Sequence, residues 1–118
     1  MADKRTTSGC AVVETTLDGA DRAEELARRI VAARLAACVQ TTPIRSVYHW
    51  QGRIETAAEF RLTAKTRQAR VAALLAFIKA NHPYEVPEIL VLPVTAGHTP
   101  YLAWIERETA DAAAGEPA

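Results

Sequence analysis

At 118 residues the chain has room for one buried core and falls short of the size at which chains divide into several domains. Its make-up, 49% hydrophobic and 24% charged, is that of a globular protein and excludes a disordered polymer. The 14 basic residues cancel the 14 acidic ones, so the basic excess that phosphate-neutralising binders draw on is missing, and no nucleic-acid partner is expected.

Residues 1–9 mix Asp3, Lys4 and Arg5 with small polar side chains and lack the apolar stretch of a signal peptide or membrane anchor. They read as a flexible tail, and a cytoplasmic location with no membrane partner is expected. Residues 10–16, rich in Val and Thr, read as a strand ended by the turn pair Asp18-Gly19. Asp21 stands three residues before Glu24, the spacing of a capping box, and Ala23, Leu26, Ala27, Ile30, Val31 and Leu35 supply an apolar stripe. That helix should end near Ala37.

Residues 38–50 turn β-like, with Pro43 inside, which cannot donate to a ladder and so implies an edge position or a bulge. Gln51-Gly52 is a tight-turn pair leading into residues 53–65, where Ile54, Thr56, Ala58, Phe60, Leu62 and Ala64 alternate with Glu55, Glu59, Arg61 and Lys65. Together these segments predict one long hairpin. Thr66 is placed to cap a second helix, whose Val71, Leu74, Leu75 and Ile78 recur at i, i+3, i+4 and i+7 until His82-Pro83 stops it. Residues 88–94 form a further strand. Thr99-Pro100 reads as an N-cap followed by Pro at the first helical position, opening a short helix with Tyr101, Leu102, Trp104 and Ile105. Residues 110–118 lose all periodicity and read as a second flexible tail, which leaves 10–109 as one domain.

The order β-α-β-β-α-β is that of the ferredoxin-like α+β sandwich, with two helices on one face of an antiparallel sheet and the short last helix added. A sheet with one wet face would alternate apolar and polar residues, yet Ile89-Leu90-Val91-Leu92 is apolar on both faces. Part of the second face is left for the last helix, and a second copy of the chain is the natural cover for the rest, so a homo-oligomer is expected.

Cys10 and Cys38 form no C-x-x-C and join no Cys/His cluster at zinc spacing, which argues for a reducing compartment and against a disulfide scaffold. Tyr48 and Trp50 share one strand face, as packing anchors or as a stacking platform. His82 and Cys38 are the candidate metal ligands, imidazole and thiolate both suiting copper or zinc, although no local spacing gathers several ligands together. Glu59, Arg61 and Lys65 make a charged row that is either solvated or the floor of an anion pocket closed by a neighbouring chain. No Walker A, G-x-S-x-G, G-x-G-x-x-G or H-E-x-x-H motif occurs, so no enzyme activity is expected. An RNA-recognition motif shares the element order, but Arg61-Leu62-Thr63-Ala64-Lys65 lacks the aromatic residues that stack bases.

Five stretches taken in order resemble the CutA divalent-cation tolerance family over about residues 12–105. They are Leu35-Ala36-Ala37-Cys38-Val39, Ser46-Val47-Tyr48-His49-Trp50-Gln51-Gly52-Arg53-Ile54-Glu55, Glu59 with Lys65-Thr66, His82-Pro83-Tyr84-Glu85-Val86-Pro87-Glu88, and Tyr101-Leu102-Ala103-Trp104-Ile105. The resemblance implies a tight homotrimer with PII-like architecture, a cytoplasmic location and a link to tolerance of copper and other divalent metals. It further implies an inter-subunit cleft lined by Tyr48, Trp50, Glu59, Lys65, Tyr84, Glu88 and Trp104, for a metal ion or a small anion. The family's assigned copper ligands, a Cys ending the first strand and a His-His pair before Pro-Tyr, align here with Thr15 and Asn81-His82, so one imidazole of three ligands is kept. Two other readings of the cleft stay open: a small-molecule enzyme with Lys65 as anchor and Glu59 as base, and a trimer with a purely structural role.

Overall fold

The computed structural model describes residues 8–110; residues 1–7 and 111–118, the greater part of the two expected tails, lie outside the described residues. Ser8 and Gly9 are tied to the sheet. The Ser8 hydroxyl donates to the Val94 carbonyl and accepts the Cys10 N–H, while the Gly9 carbonyl accepts the Gln68 N–H.

The elements run β1 (Cys10–Leu17), α1 (Ala20–Ala32), β2 (Cys38–Trp50), β3 (Arg53–Arg67), α2 (Gln68–Asn81), β4 (Ile89–Val94) and α3 (Thr99–Glu108). The four strands form one antiparallel sheet in the order β2-β3-β1-β4, which is the ferredoxin-like arrangement expected from the element order. The register gives the sheet two distinct faces. Val13, Thr15, Leu17, Leu62 and Ala64 share one face and meet Leu26 and Ile30 of α1 and Leu74 and Ile78 of α2 in a buried core. Cys10, Glu14, Arg61, Lys65 and Arg67 lie on the other, where α3 covers one end through contacts of Tyr101, Leu102 and Thr109.

Three local expectations are corrected. The first helix stops at Ala32, five residues before Ala37, and its start is capped by no side chain, Gly19 occupying the N-cap position. Its end is a Schellman turn, in which Arg34 takes φ 58°, its N–H bonds to the Val31 carbonyl, and the Leu35 N–H reaches back to Ile30. The turn swings Leu35 and Ala36 back into the core, so they bury as an apolar stripe requires without being helical. Thr66 caps nothing: β3 runs on to Arg67, Thr66 pairs with Ala11 and is fully buried, and Arg67 is the extended residue before α2. His98, rather than Thr99, precedes α3, so Pro100 lies in the first turn, where a missing N–H costs nothing.

The hairpin is longer than the sheet that carries it. β1 ends where Leu17 meets Phe60, whereas β2 and β3 stay paired without interruption from Cys38–Lys65 to Trp50–Arg53. Beyond Phe60 the two strands have only each other, giving an arm of seven further residue pairs, about 23 Å long at the usual rise. Gln51 and Gly52, at φ 52° and 78°, close it as a type I′ turn, whose twist matches that of the strands. Pro43 stands in the edge strand β2 without a bulge, its missing N–H falling on the side away from β3.

Candidate functional site

The seven residues expected to line a cleft fall into four places in the single chain. Tyr48 and Trp50 lie near the arm tip, both more than two fifths exposed. Glu59 and Tyr84 meet at the arm base. Lys65 lies six residues further along β3, about 20 Å from Glu59 by strand rise, beside Tyr101 of α3, on which Trp104 of the same helix stacks. Glu88 is exposed in the connection leading into β4.

The arm base is the best-ordered polar cluster. Glu59, 8% exposed, accepts the Ser46 hydroxyl on one carboxylate oxygen and the Tyr84 hydroxyl on the other, each at 2.7 Å. Both bonds are of the strong, charge-assisted kind. Burial, followed by the hydrogen bond to Glu59, pushes the Tyr84 phenol well above the usual tyrosine range, so Tyr84 stays a neutral donor. The segment bearing Tyr84 is itself braced. The His82 ring accepts the Tyr84 N–H on Nδ1 at 3.0 Å, which leaves Nε2 protonated to donate to the Thr16 carbonyl at 2.8 Å. A continuous chain of contacts thus joins β1, the 82–84 turn, β3 and β2.

This arrangement bears on the expected roles. Both nitrogens of His82 are occupied in holding the backbone, so a metal at either would displace one of these bonds. Among the described residues no three His, Cys, Asp or Glu side chains gather at ligand distances within the chain. Thr15, aligned with a family ligand, buries its hydroxyl among apolar core residues with no partner among the described residues. Asn81, aligned with another, accepts from Arg29 of α1 at 2.8 Å and donates to the Phe77 carbonyl, linking the two helices. Cys38 is half-buried, and Cys10 is the fully buried thiol, its pKa raised by burial and by Glu106; neither is in a disulfide.

At the other end of β3, the Lys65 ammonium lies 5.6 Å from the Tyr101 ring centre, and Tyr101 stacks on Trp104 with centroids 5.6 Å apart. A separate shallow cleft of about 300 Å³ opens between α1 and the C-terminal end of α2, rimmed by Arg22, Glu25, Arg29 and His82. Ser46 stood out in the sequence only as part of the stretch Ser46–Glu55, without a role of its own, and its one further signal is that it shares a strand face with Tyr48. The bracing role of His82 carried no such signal, because both partners are backbone groups and one of them, the Thr16 carbonyl, is 66 residues away.

The described residues contain no helix long and apolar enough to cross a membrane. Comparison with known proteins matches residues 11–108 to the family of the CutA1 divalent ion tolerance protein. The chain is similar to the chloroplastic protein CutA 1 of Oryza sativa, 41% identical over 110 residues, which are 92% of this chain and 62% of the rice protein. It is 39% identical over 106 residues to the divalent-cation tolerance protein CutA of Escherichia coli, covering 89% of this chain and 95% of that one. The chain therefore spans under two thirds of the plant relative and nearly all of the bacterial one. Among solved structures, CutA from Synechococcus elongatus superimposes with a TM-score of 0.86 at 36% identity, over 89% of this chain and 94% of that chain. A PII-like protein CutA from Nostoc superimposes with a TM-score of 0.80 at 32% identity, over 84% and 96%.

Proposed function

The chain belongs to the CutA1 divalent ion tolerance family, and we propose that it acts in divalent-metal tolerance as a homotrimeric binding or signalling module, without catalysis of its own. One observation carries the assembly. Leu90, Val91 and Leu92 of the edge strand β4 are 53%, 41% and 43% exposed, and Val47 and Ile54 on the arm 68% and 71%, so apolar surface is left bare on two elements. A two-stranded ribbon is marginal in water by itself, and a second copy of the chain supplies the strand and the cover that it lacks.

In the trimer the arm tip of one chain, with Tyr48 and Trp50, closes over Glu59, Tyr84 and Glu88 or over Lys65 and Trp104 of another, making a cleft for a metal ion or a small anion. The engagement of both Glu59 oxygens fits a holding role better than that of a general base. The two unpaired thiols fit a reducing, cytoplasmic setting, although the rice relative is named chloroplastic.

Light scattering coupled to gel filtration tests the assembly: a particle of three chain masses at micromolar concentration is expected, and a monomer would end the proposal. Calorimetric titration with copper and zinc tests the metal part. No heat with the wild-type protein removes it, and heat lost in His82→Ala supports it only where the variant keeps its assembly, since His82 also braces the fold.

A further inference from the structure

We infer that the Lys65 end of the cleft takes a small oxyanion, a carboxylate or a phosphate, and not a metal cation. The inference rests on the cleft reading and deepens it by naming the ligand class.

Lys65 is half-buried on the sheet face that α3 covers in part. Among the described residues its ammonium makes no hydrogen bond and has no carboxylate within 4.0 Å; it faces the Tyr101 ring. A cation held partly out of water without a counter-charge is costly, and an acceptor from outside relieves that cost. The second observation lies four residues away on the same strand face, where the Arg61 Nε is buried with no hydrogen-bond partner among the described residues, the Glu14 carboxylate standing at 3.9 Å. Between the two cations the register places Thr63 and Gln40, both able to donate.

The negative groups nearby do not offset this. Glu59 stands six residues away along β3, about 20 Å by strand rise, Glu14 lies toward Arg61, and Glu106 acts on Cys10. Arg67, two residues beyond Lys65, adds a further positive charge while donating to the Thr109 carbonyl. The stacked Tyr101–Trp104 pair walls one side with apolar surface, which strengthens the field of Lys65 toward an anion and its repulsion of a dication.

The test is calorimetric titration of the full chain with inorganic phosphate and, separately, with citrate, on wild type, Lys65→Met and Lys65→Arg, with light scattering on each. Binding of at least one anion by the wild type is expected, with affinity falling about tenfold or more in Lys65→Met, as for loss of a charged hydrogen bond, and retained in Lys65→Arg. The arm that gives heat separates phosphate from carboxylate. No heat with either anion, or the same affinity in Lys65→Met, overturns the inference; so does copper binding that weakens in Lys65→Met. A monomer that binds an anion through Lys65 sinks the trimer and supports this inference, while a trimer with no anion binding does the reverse.

Discussion

The Tyr84 hydroxyl donates to Glu59 at 2.7 Å, and because the same carboxylate accepts Ser46 of the neighbouring strand, one buried side chain fastens both strands of the arm to the body of the protein. Tyr84→Phe should therefore cost roughly 1.5–3 kcal/mol, the range for a hydrogen bond to a charged group. Glu59→Gln should cost less than Glu59→Ala, because the amide oxygen still accepts one hydroxyl. Urea denaturation of the three variants checks the order, and equal losses would mean that the network does not bear on stability.

The raised pKa of Tyr84 sets an alkaline limit. The folded protein holds the phenol neutral while the unfolded chain ionises near pH 10, so the unfolded state binds fewer protons above that pH. The stabilisation is complete below pH 10 and is lost as pH rises toward the folded-state value. Melting curves from pH 8 to 11 should fall more steeply for wild type than for Tyr84→Phe; parallel curves would show that Tyr84 is not the group responsible.

Thr15 and Thr66 each bury a hydroxyl without a partner among the described residues, at 1% and 0% exposure. Val has nearly the same shape and leaves no polar atom to satisfy. Thr15→Val and Thr66→Val are each expected to stabilise by up to about 1 kcal/mol, and a loss of that size in either would reveal an unseen partner for the hydroxyl.

Much of the fold was legible in the sequence because it is written in local chemistry. Pro43 marked an edge strand or a bulge, of which the edge is found, Gln51-Gly52 marked the turn, and the alternation from Ile54 to Ala64 marked a strand with two unlike faces. The helix end at Arg34 was not legible, since a Schellman turn advertises itself through glycine and here an arginine takes the left-handed conformation. Thr66 misled for a related reason: a Thr before a helical run looks like a cap until the pairing with Ala11 is known. In the site, Glu59, Tyr84 and Lys65 were visible as residues but not as two separate clusters, because their grouping depends on strand register and on the path of the 82–84 turn.

Gln51 also holds a positive φ, at 52°, a conformation that Asn tolerates better. Gln51→Asn should raise stability by about 0.5–1 kcal/mol without altering assembly, measured by thermal melting and light scattering together.

Leu90 and Leu92 share the sheet face opposite the core, in register with Glu14 and Val12. Placing a charge there, as in Leu90→Lys or Leu92→Asp, should leave the single chain folded and reduce the assembled mass toward that of a monomer, whereas Trp50→Ala should weaken assembly to a smaller degree. Unchanged mass for all three would detach β4 and the arm from the interface.

Pro43 has one more consequence. A sheet whose two outer strands are both open can accept new strands indefinitely, and the difference between a closed ring and a growing fibril rests on where the outer row of donors is broken. With its nitrogen turned outward in β2, Pro43 breaks that row near the middle of the strand, where the arm leaves the body, so an incoming strand meets two short stretches instead of one long edge. Its replacement by Val restores the missing donor and makes this chain a candidate for run-on polymerisation, visible as thioflavin-positive fibres where the parent stays a finite particle.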